Sequence, residues 1–347
     1  MTTSPLRVGI IGLGMGRGHI NGYKKHPDAK VVAICDLNQE RLDATQKEHG
    51  IEATYTDAAA MFAEANLDVV SIATPNAFHK PLTLQALAAG CHVLCEKPMA
   101  MTAAEGEEMA AAAEAGGKRL MINFSYRFSE QSMALKEQVD TGILGDVYFA
   151  RTSWHRRRGL PGFGGWFGQK KMAGGGPLID LGVHRIDLAL WLMGNPKPVW
   201  VMGATYDPIA KRLAAEQGKE FDVEDLATAL IRFDNGATLQ VEASWASNIS
   251  EAELMETRLF GTKAGLVQRN VGGGYQFEAQ LFTEHAGALY DSKLVRQPAA
   301  VTSMEHFIQA IVDDTPHMGS PQEGLNVQRI LDAIYASAAS GEPVKLS

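Results

Sequence analysis

Through the first third of the chain, short unbroken apolar runs recur at 7–11, 30–35, 68–73, 92–95 and 119–123. Between them lie segments that read as helices, at about 16–25, 38–49, 57–65, 78–89 and 102–116. Apolar runs without alternation, each followed by a helix, predict parallel strands covered on both faces. Thr54 and Tyr55 add a short strand. After about residue 125 the pattern changes. Longer strands, some alternating, fall at 225–233 and 238–245, joined by the hairpin signal Asp234-Asn235-Gly236. Further strands are predicted near 147–156, 199–206, 254–260 and 275–282, and helices at 129–141, 178–193, 303–313 and 322–340. The expected architecture is α/β: a doubly wound parallel sheet over 1–125, then an α+β domain with a large open, mostly antiparallel sheet over 126–347.

The first strand runs into Gly12, Gly14, Gly16 and Gly18, with a helix after them. Strand, glycine turn and helix N-terminus together suit a dinucleotide pyrophosphate. The glycines let the backbone approach, and the helix end offers free N–H groups. The spacing departs from the usual fingerprint, since Arg17 stands where a third glycine or alanine belongs. The second strand ends in Asp36, placed to accept hydrogen bonds from an adenosine ribose. Its bland alternative is a cap for the following helix. The glycine turn points to a nicotinamide or flavin cofactor, and Asp36 favours NAD, with NADP as the alternative, in a Rossmann domain. Gly12, Gly14, Met15, Gly16 and Asp36 are its candidate contacts.

Composition excludes several partners. Hydrophobic residues make up 46% of the 347 and charged residues 21%, as in ordinary globular chains. A net charge of -8 disfavours nucleic acid and anionic membranes. No apolar run is long enough to span a bilayer, and no signal-peptide core precedes the first strand. Cys35, Cys91 and Cys95 lack zinc-type clustering and read as buried thiols in a cytoplasmic protein.

Ligands of parallel sheets bind beyond the strand C-termini. Thr74, Pro75 and Asn76 leave one strand there, followed by His79; Glu96, Lys97 and Pro98 leave the next. The proline holds Lys97 extended, which aims its ammonium at a nicotinamide cleft. In the second half, Asp180 and His184 stand four apart in a predicted helix and share a face. A histidine beside a carboxylate is a natural proton acceptor. Asp187 extends the acidic set, but no further ligand cluster supports a metal.

Taken together, the glycine turn, Asp36, the Thr74–Asn76 step, Glu96-Lys97-Pro98 and the Asp180…His184 helix resemble the Gfo/Idh/MocA family of oxidoreductases over essentially the whole chain. The resemblance implies NAD(P)-dependent oxidation or reduction of a secondary alcohol on a sugar, sugar derivative or cyclitol. It places the catalytic roles on Lys97, Asp180 and His184, and it points to a homodimer or homotetramer. The substrate hydroxyl is expected to meet Lys97 and His184. Tyr126, Arg127, Trp154 and Arg156 are expected at the rim, and the 159–176 loop borders the chemistry. Two other readings share the fold: a nicotinamide-dependent glycosidase that oxidises transiently, and a regulator that binds without chemistry.

Overall fold

The computed structural model describes residues 4–295 and 301–346. Its contacts divide the chain into two compact units. One holds residues up to Phe124 together with Val301–Leu325; the other holds Ser125 onward and Asn326 onward. The division falls one residue from the sequence boundary. The return of 301–325 to the first unit departs from that boundary, which assigns the segment to the second domain.

In the first unit, β1 (Leu6–Ile11), α1 (Gly16–Tyr23), β2 (Ala29–Cys35), α2 (Gln39–His49), β3 (Ala53–Tyr55), α3 (Ala58–Glu64), β4 (Val69–Ile72), α4 (His79–Ala88), β5 (His92–Glu96), α5 (Ala103–Ala115) and β6 (Leu120–Asn123) alternate. The strands form a parallel sheet in the order β3-β2-β1-β4-β5-β6. The order reverses between β1 and β4, where a doubly wound sheet opens a crevice. Val8, Ile10, Ile34, Val70, Ile72, Val93 and Leu94 are essentially unexposed, which explains their unbroken apolar runs. The helix Ser303–Val312 belongs here too: a Cβ on Gly22 of α1 would press on the Met304 side chain.

The second unit contains α6 (Glu130–Asp140), β7 (Val147–Arg156), α7 (Lys170–Ala173), α8 (Val183–Leu192), β8 (Pro198–Tyr206), α9 (Pro208–Glu216), β9 (Leu226–Phe233), β10 (Thr238–Ser244), β11 (Glu253–Gly261), β12 (Ala264–Val271), β13 (Gln276–His285), β14 (Ala288–Leu294) and β15 (Val344–Lys345). Its nine strands run in the order β14-β13-β12-β11-β7-β10-β9-β8-β15. Every pairing is antiparallel except β7 with β10. Alternation along β7, β9 and β10 buries Ala150, Thr152, Trp154, Ile231, Leu239 and Val241 on one face.

The predicted helix 178–193 is two elements. Residues Leu178–Gly182 make a π-helical turn, closed by Val183 N–H on the Leu178 carbonyl, and only then does α8 begin. Asp180 and His184 therefore do not share one regular α-helical face. π turns of this kind occur mostly as single insertions inside helices.

Candidate active site

In the first unit the glycine turn is built by steric necessity. Gly12 has φ +88°, and a Cβ there would lie 2.5 Å from the Ala73 carbonyl oxygen. At Gly16 a Cβ would lie 2.8 Å from Ile10 Cγ2, so Gly16, rather than residue 17, provides the close approach of helix to strand. Arg17 points away and pairs with Glu48 at 2.8 Å.

The turn fits a pyrophosphate. Open space surrounds the Gly14 Cβ direction, and the exposed Met15 precedes α1 without a side-chain cap. Thr74, whose backbone abuts Gly12, has a buried hydroxyl oxygen with no hydrogen-bond partner among the described residues. Pro75 opens a single 3-10 turn, Asn76–Phe78, in which Asn76 is buried. Asp36 receives the Leu13 N–H (2.7 Å), the Asn38 N–H (2.9 Å) and Arg41 Nη1 (3.2 Å). The acid thus ties the glycine turn to the end of β2. Arg41 donates to Asp36 and Arg17 to Glu48, so each of these arginines has a carboxylate partner.

Two expected cofactor contacts are scaffold instead. His79 is fully buried, with Nδ1 2.8 Å from the Pro98 carbonyl and Nε2 3.0 Å from that of Thr74. It ties the chain leaving β4 to the chain leaving β5. Burial lowers its pKa, the two carbonyls pulling the other way. Glu96, 9% exposed, accepts from Asn123 Nδ2 (2.5 Å) and contacts His19 Nε2 (2.9 Å); His19 Nδ1 meets Ser71 Oγ at 2.7 Å. Burial alone would raise the Glu96 pKa. His19, Asn123 and the nearby Lys97 outweigh it and hold the carboxyl below its ordinary range. Lys97, half-buried, follows directly at the end of β5.

In the second unit, Asp180 and His184 are half-buried in otherwise buried surroundings. The triple glycine explains how the π turn is seated. A Cβ on Gly175 would collide with the Tyr335 hydroxyl, and one on Gly176 with the Glu224 backbone carbonyl. Glu224 then accepts the N–H groups of Gly176 (2.9 Å) and Leu178 (3.1 Å) and the Tyr335 hydroxyl (2.8 Å). Trp245 Nε1 donates to Asp180 Oδ2 at 3.0 Å and fixes the carboxylate. The His184 ring stands 4.8 Å from Tyr126 and 5.9 Å from Trp154 between ring centres.

The expected rim is revised. Arg127 is 1% exposed, and its guanidinium grips Asp187 through two bonds of 2.6 and 2.9 Å. It is a buried structural partner, and Asp187 is committed to it. Trp154 is 3% exposed, so it backs the His184 ring and presents no face. Its Nε1 donates to Glu253 (2.6 Å), which also receives Arg156 Nε (2.7 Å). Arg156 donates further to the Tyr275 hydroxyl, 2.8 Å away. Within the 159–176 loop, Trp166 and Phe167 stack at 3.8 Å and Phe167 packs on Trp245. His19, Ser71, Asn123, Glu224, Tyr335, Trp245 and Glu253 escaped sequence reasoning. They come from distant segments, and only the strictness of the glycine triplet hinted at close neighbours.

A doubly wound sheet with this glycine turn and acid-ended β2 defines an NAD-binding Rossmann oxidoreductase. The comparisons agree. Residues 6–124 match the family model of the oxidoreductase NAD-binding Rossmann fold, and residues 136–346 match its C-terminal alpha/beta domain. The chain belongs to the Gfo/Idh/MocA family. It is 36% identical over 356 residues to D-glucoside 3-dehydrogenase of Escherichia coli (strain K12), covering 100% of this chain and 99% of the relative. D-apiose dehydrogenase of Paraburkholderia graminis is 28% identical, with 99% and 91% covered. The solved structure of levoglucosan dehydrogenase in complex with NADH superposes with a TM-score of 0.88 at 25% identity, over 99% of this chain and 100% of that one. No described helix is long and apolar enough to cross a membrane.

Proposed function

We propose that the chain is a dehydrogenase that oxidises a secondary hydroxyl of a neutral sugar, sugar derivative or cyclitol with NAD. The observation that carries this reading is that one unit holds a half-buried Asp180, its carboxylate fixed by Trp245, and a half-buried His184, its imidazole walled by Tyr126 and Trp154, in a chain of an NAD-binding oxidoreductase family. When bound, NAD accepts the hydride. His184 takes the hydroxyl proton, a role worth on the order of 10²–10⁴ in rate. Asp180 orients the imidazole and stabilises its cation. The Lys97 ammonium donates to the substrate oxygen as charge develops there.

A neutral substrate is favoured because the arginines of the 156–158 run have partners within the protein, Glu253 among them. Arg156 faces Glu253, and Arg157 and Arg158 donate to backbone carbonyls and Asn248. The relatives named above act, by their names, on uncharged sugars. Cofactor contacts fall to the glycine turn, Asp36 and Thr74–Asn76. The chain is assigned to the cytoplasm, in keeping with its three free, buried cysteines. It is further assigned a homodimer or homotetramer formed through the second unit, where the paired Met202 and Leu230 are exposed on the strand face opposite Val201 and Ile231.

A panel of sugars and cyclitols with NAD+ or NADP+, read at the nicotinamide absorbance, tests the reading. NADH should form with neutral members. Turnover should drop by orders of magnitude in Lys97→Ala and His184→Ala while NAD binding persists. Sugar release without net NADH would instead identify a glycosidase, and ligand binding without any turnover a regulator.

A further inference from the structure

Arg185 follows His184 on α8 and is completely buried. Among the described residues no carboxylate lies within ion-pair distance of it. Its polar neighbours are neutral: Gln268 Oε1 at 3.2 Å, Thr257 Oγ1 at 3.5 Å and Met255 Sδ at 3.9 Å. The guanidinium instead lies 4.7 Å from the centre of the Tyr126 ring and 5.4 Å from those of Trp154 and Phe277. Ring faces stabilise a desolvated cation, but they do not cancel its charge. Burial pulls the Arg185 pKa down to about 10, still well above neutrality, so the group remains charged.

Two of these three rings also touch His184. Tyr126 packs against both the imidazole and the guanidinium, as Trp154 does. Other charges face the same wall. Asp180 approaches from the π turn and is opposite in sign to Arg185. Glu253 on β11 and Arg156 on β7 pair with each other, and the Tyr275 hydroxyl bonds to both. Arg127 and Asp187 pair, and Lys136 from α6 lies over Trp191 on α8. Arg185 is thus a positive charge beside His184 with no ion-pair partner among the described residues, drawn on by Glu253 at longer range.

We propose that Arg185 is a positioning residue acting through the Tyr126 ring, its charge biasing the His184 imidazole toward the neutral, proton-accepting form against the pull of Asp180. The electrostatic part stands on the geometry alone; its consequence for turnover rests on the reading of His184 as the base. A unit charge at roughly 10 Å, in an effective dielectric of about 20–40, moves a neighbour's titration by roughly half to one pH unit.

The test uses the full-length chain labelled at histidine, with the His184 resonance assigned through His184→Gln and titrated by NMR. Arg185→Met removes the charge at similar volume. Arg185→Gln is a second neutral variant that keeps a polar head for Gln268 and Thr257. Arg185→Lys keeps the charge. The His184 midpoint should rise by about half to one unit in either neutral variant and stay within about 0.2 units of wild type in Arg185→Lys. The alkaline-rising limb of oxidative kcat/KM should move to higher pH by the same amount, since the base must be neutral to act. An NMR shift without a kinetic shift supports the charge effect and removes His184 as the base. An unmoved midpoint in a folded neutral variant, or an equal move in Arg185→Lys, overturns the proposal.

Discussion

Replacing Arg127 by methionine distinguishes a structural role from a substrate-binding one. The guanidinium and the Asp187 carboxylate are each 1% exposed as side chains and share a two-point bond. Arg127→Met leaves Asp187 buried without its guanidinium. Breaking a buried pair in this way costs about 3–5 kcal/mol, because the remaining charge has lost its compensation. For a cooperative unit of this size each kcal/mol moves Tm by about 2–4 °C, so the variant should melt about 6–20 °C lower. Arg127→Met/Asp187→Leu removes both charges and should recover most of that loss, since buried pairs replaced by packed apolar groups are often neutral or stabilising. Calorimetry of wild type, both single variants and the double variant gives the cycle. With stability restored, the double variant should keep the wild-type KM for sugar. A single variant melting within about 2 °C of wild type would refute the energetic reasoning. A raised KM in a stable double variant would return Arg127 to the substrate.

Three further outcomes follow from the geometry. Asp36→Ser should lower the NAD-over-NADP ratio of kcat/KM at least about tenfold, or 1.4 kcal/mol, by removing the charge that repels a 2′-phosphate; a wild type preferring NADP contradicts the role given to Asp36. Glu96 has a folded pKa below its unfolded value, so its contribution to stability is complete above the unfolded pKa of about 4.3 and fades as pH falls through the folded one. Stability from pH 5 to pH 3 should therefore fall less steeply in Glu96→Gln, and equal slopes would show that the His19–Glu96 contact carries no such linkage. Light scattering at micromolar concentration should report a dimer or tetramer, with a monomer refuting the assembly.

Strand identity was readable wherever burial imposed a strong pattern. The parallel strands of the first unit are apolar throughout because both faces are covered, and β7 at Val147–Arg156 and the hairpin around Asp234-Asn235-Gly236 appear where alternation and turn chemistry put them. β14 was invisible: Ala288–Leu294 is almost wholly exposed, so nothing selects alternating apolar residues there. β12 was missed because Gln268 and Asn270 sit at positions that an apolar pattern would have marked. Helix α9 went unseen between two strands. The break in the helix at Asp180 depends on Glu224 and Tyr335, which are remote in sequence and hold Gly176 and Leu178. The same limit applies to chemistry. Lys97 and His184 stand in local motifs, whereas the partners that fix or bury their surroundings, Asn123, Trp245 and Gln268, come together only by folding. Arg127 and Glu96 looked available because a sequence shows charge and not burial.

Transfer of label is the most direct check on the central claim. The enzyme would be given NAD+ and a neutral sugar or cyclitol deuterated at every carbon, and the nicotinamide product analysed by mass spectrometry. Hydride transfer from a secondary alcohol predicts reduced cofactor carrying one deuterium, formed at a rate that collapses in His184→Ala. Reduced cofactor without deuterium, or cleaved sugar with no net reduced cofactor, would contradict the account.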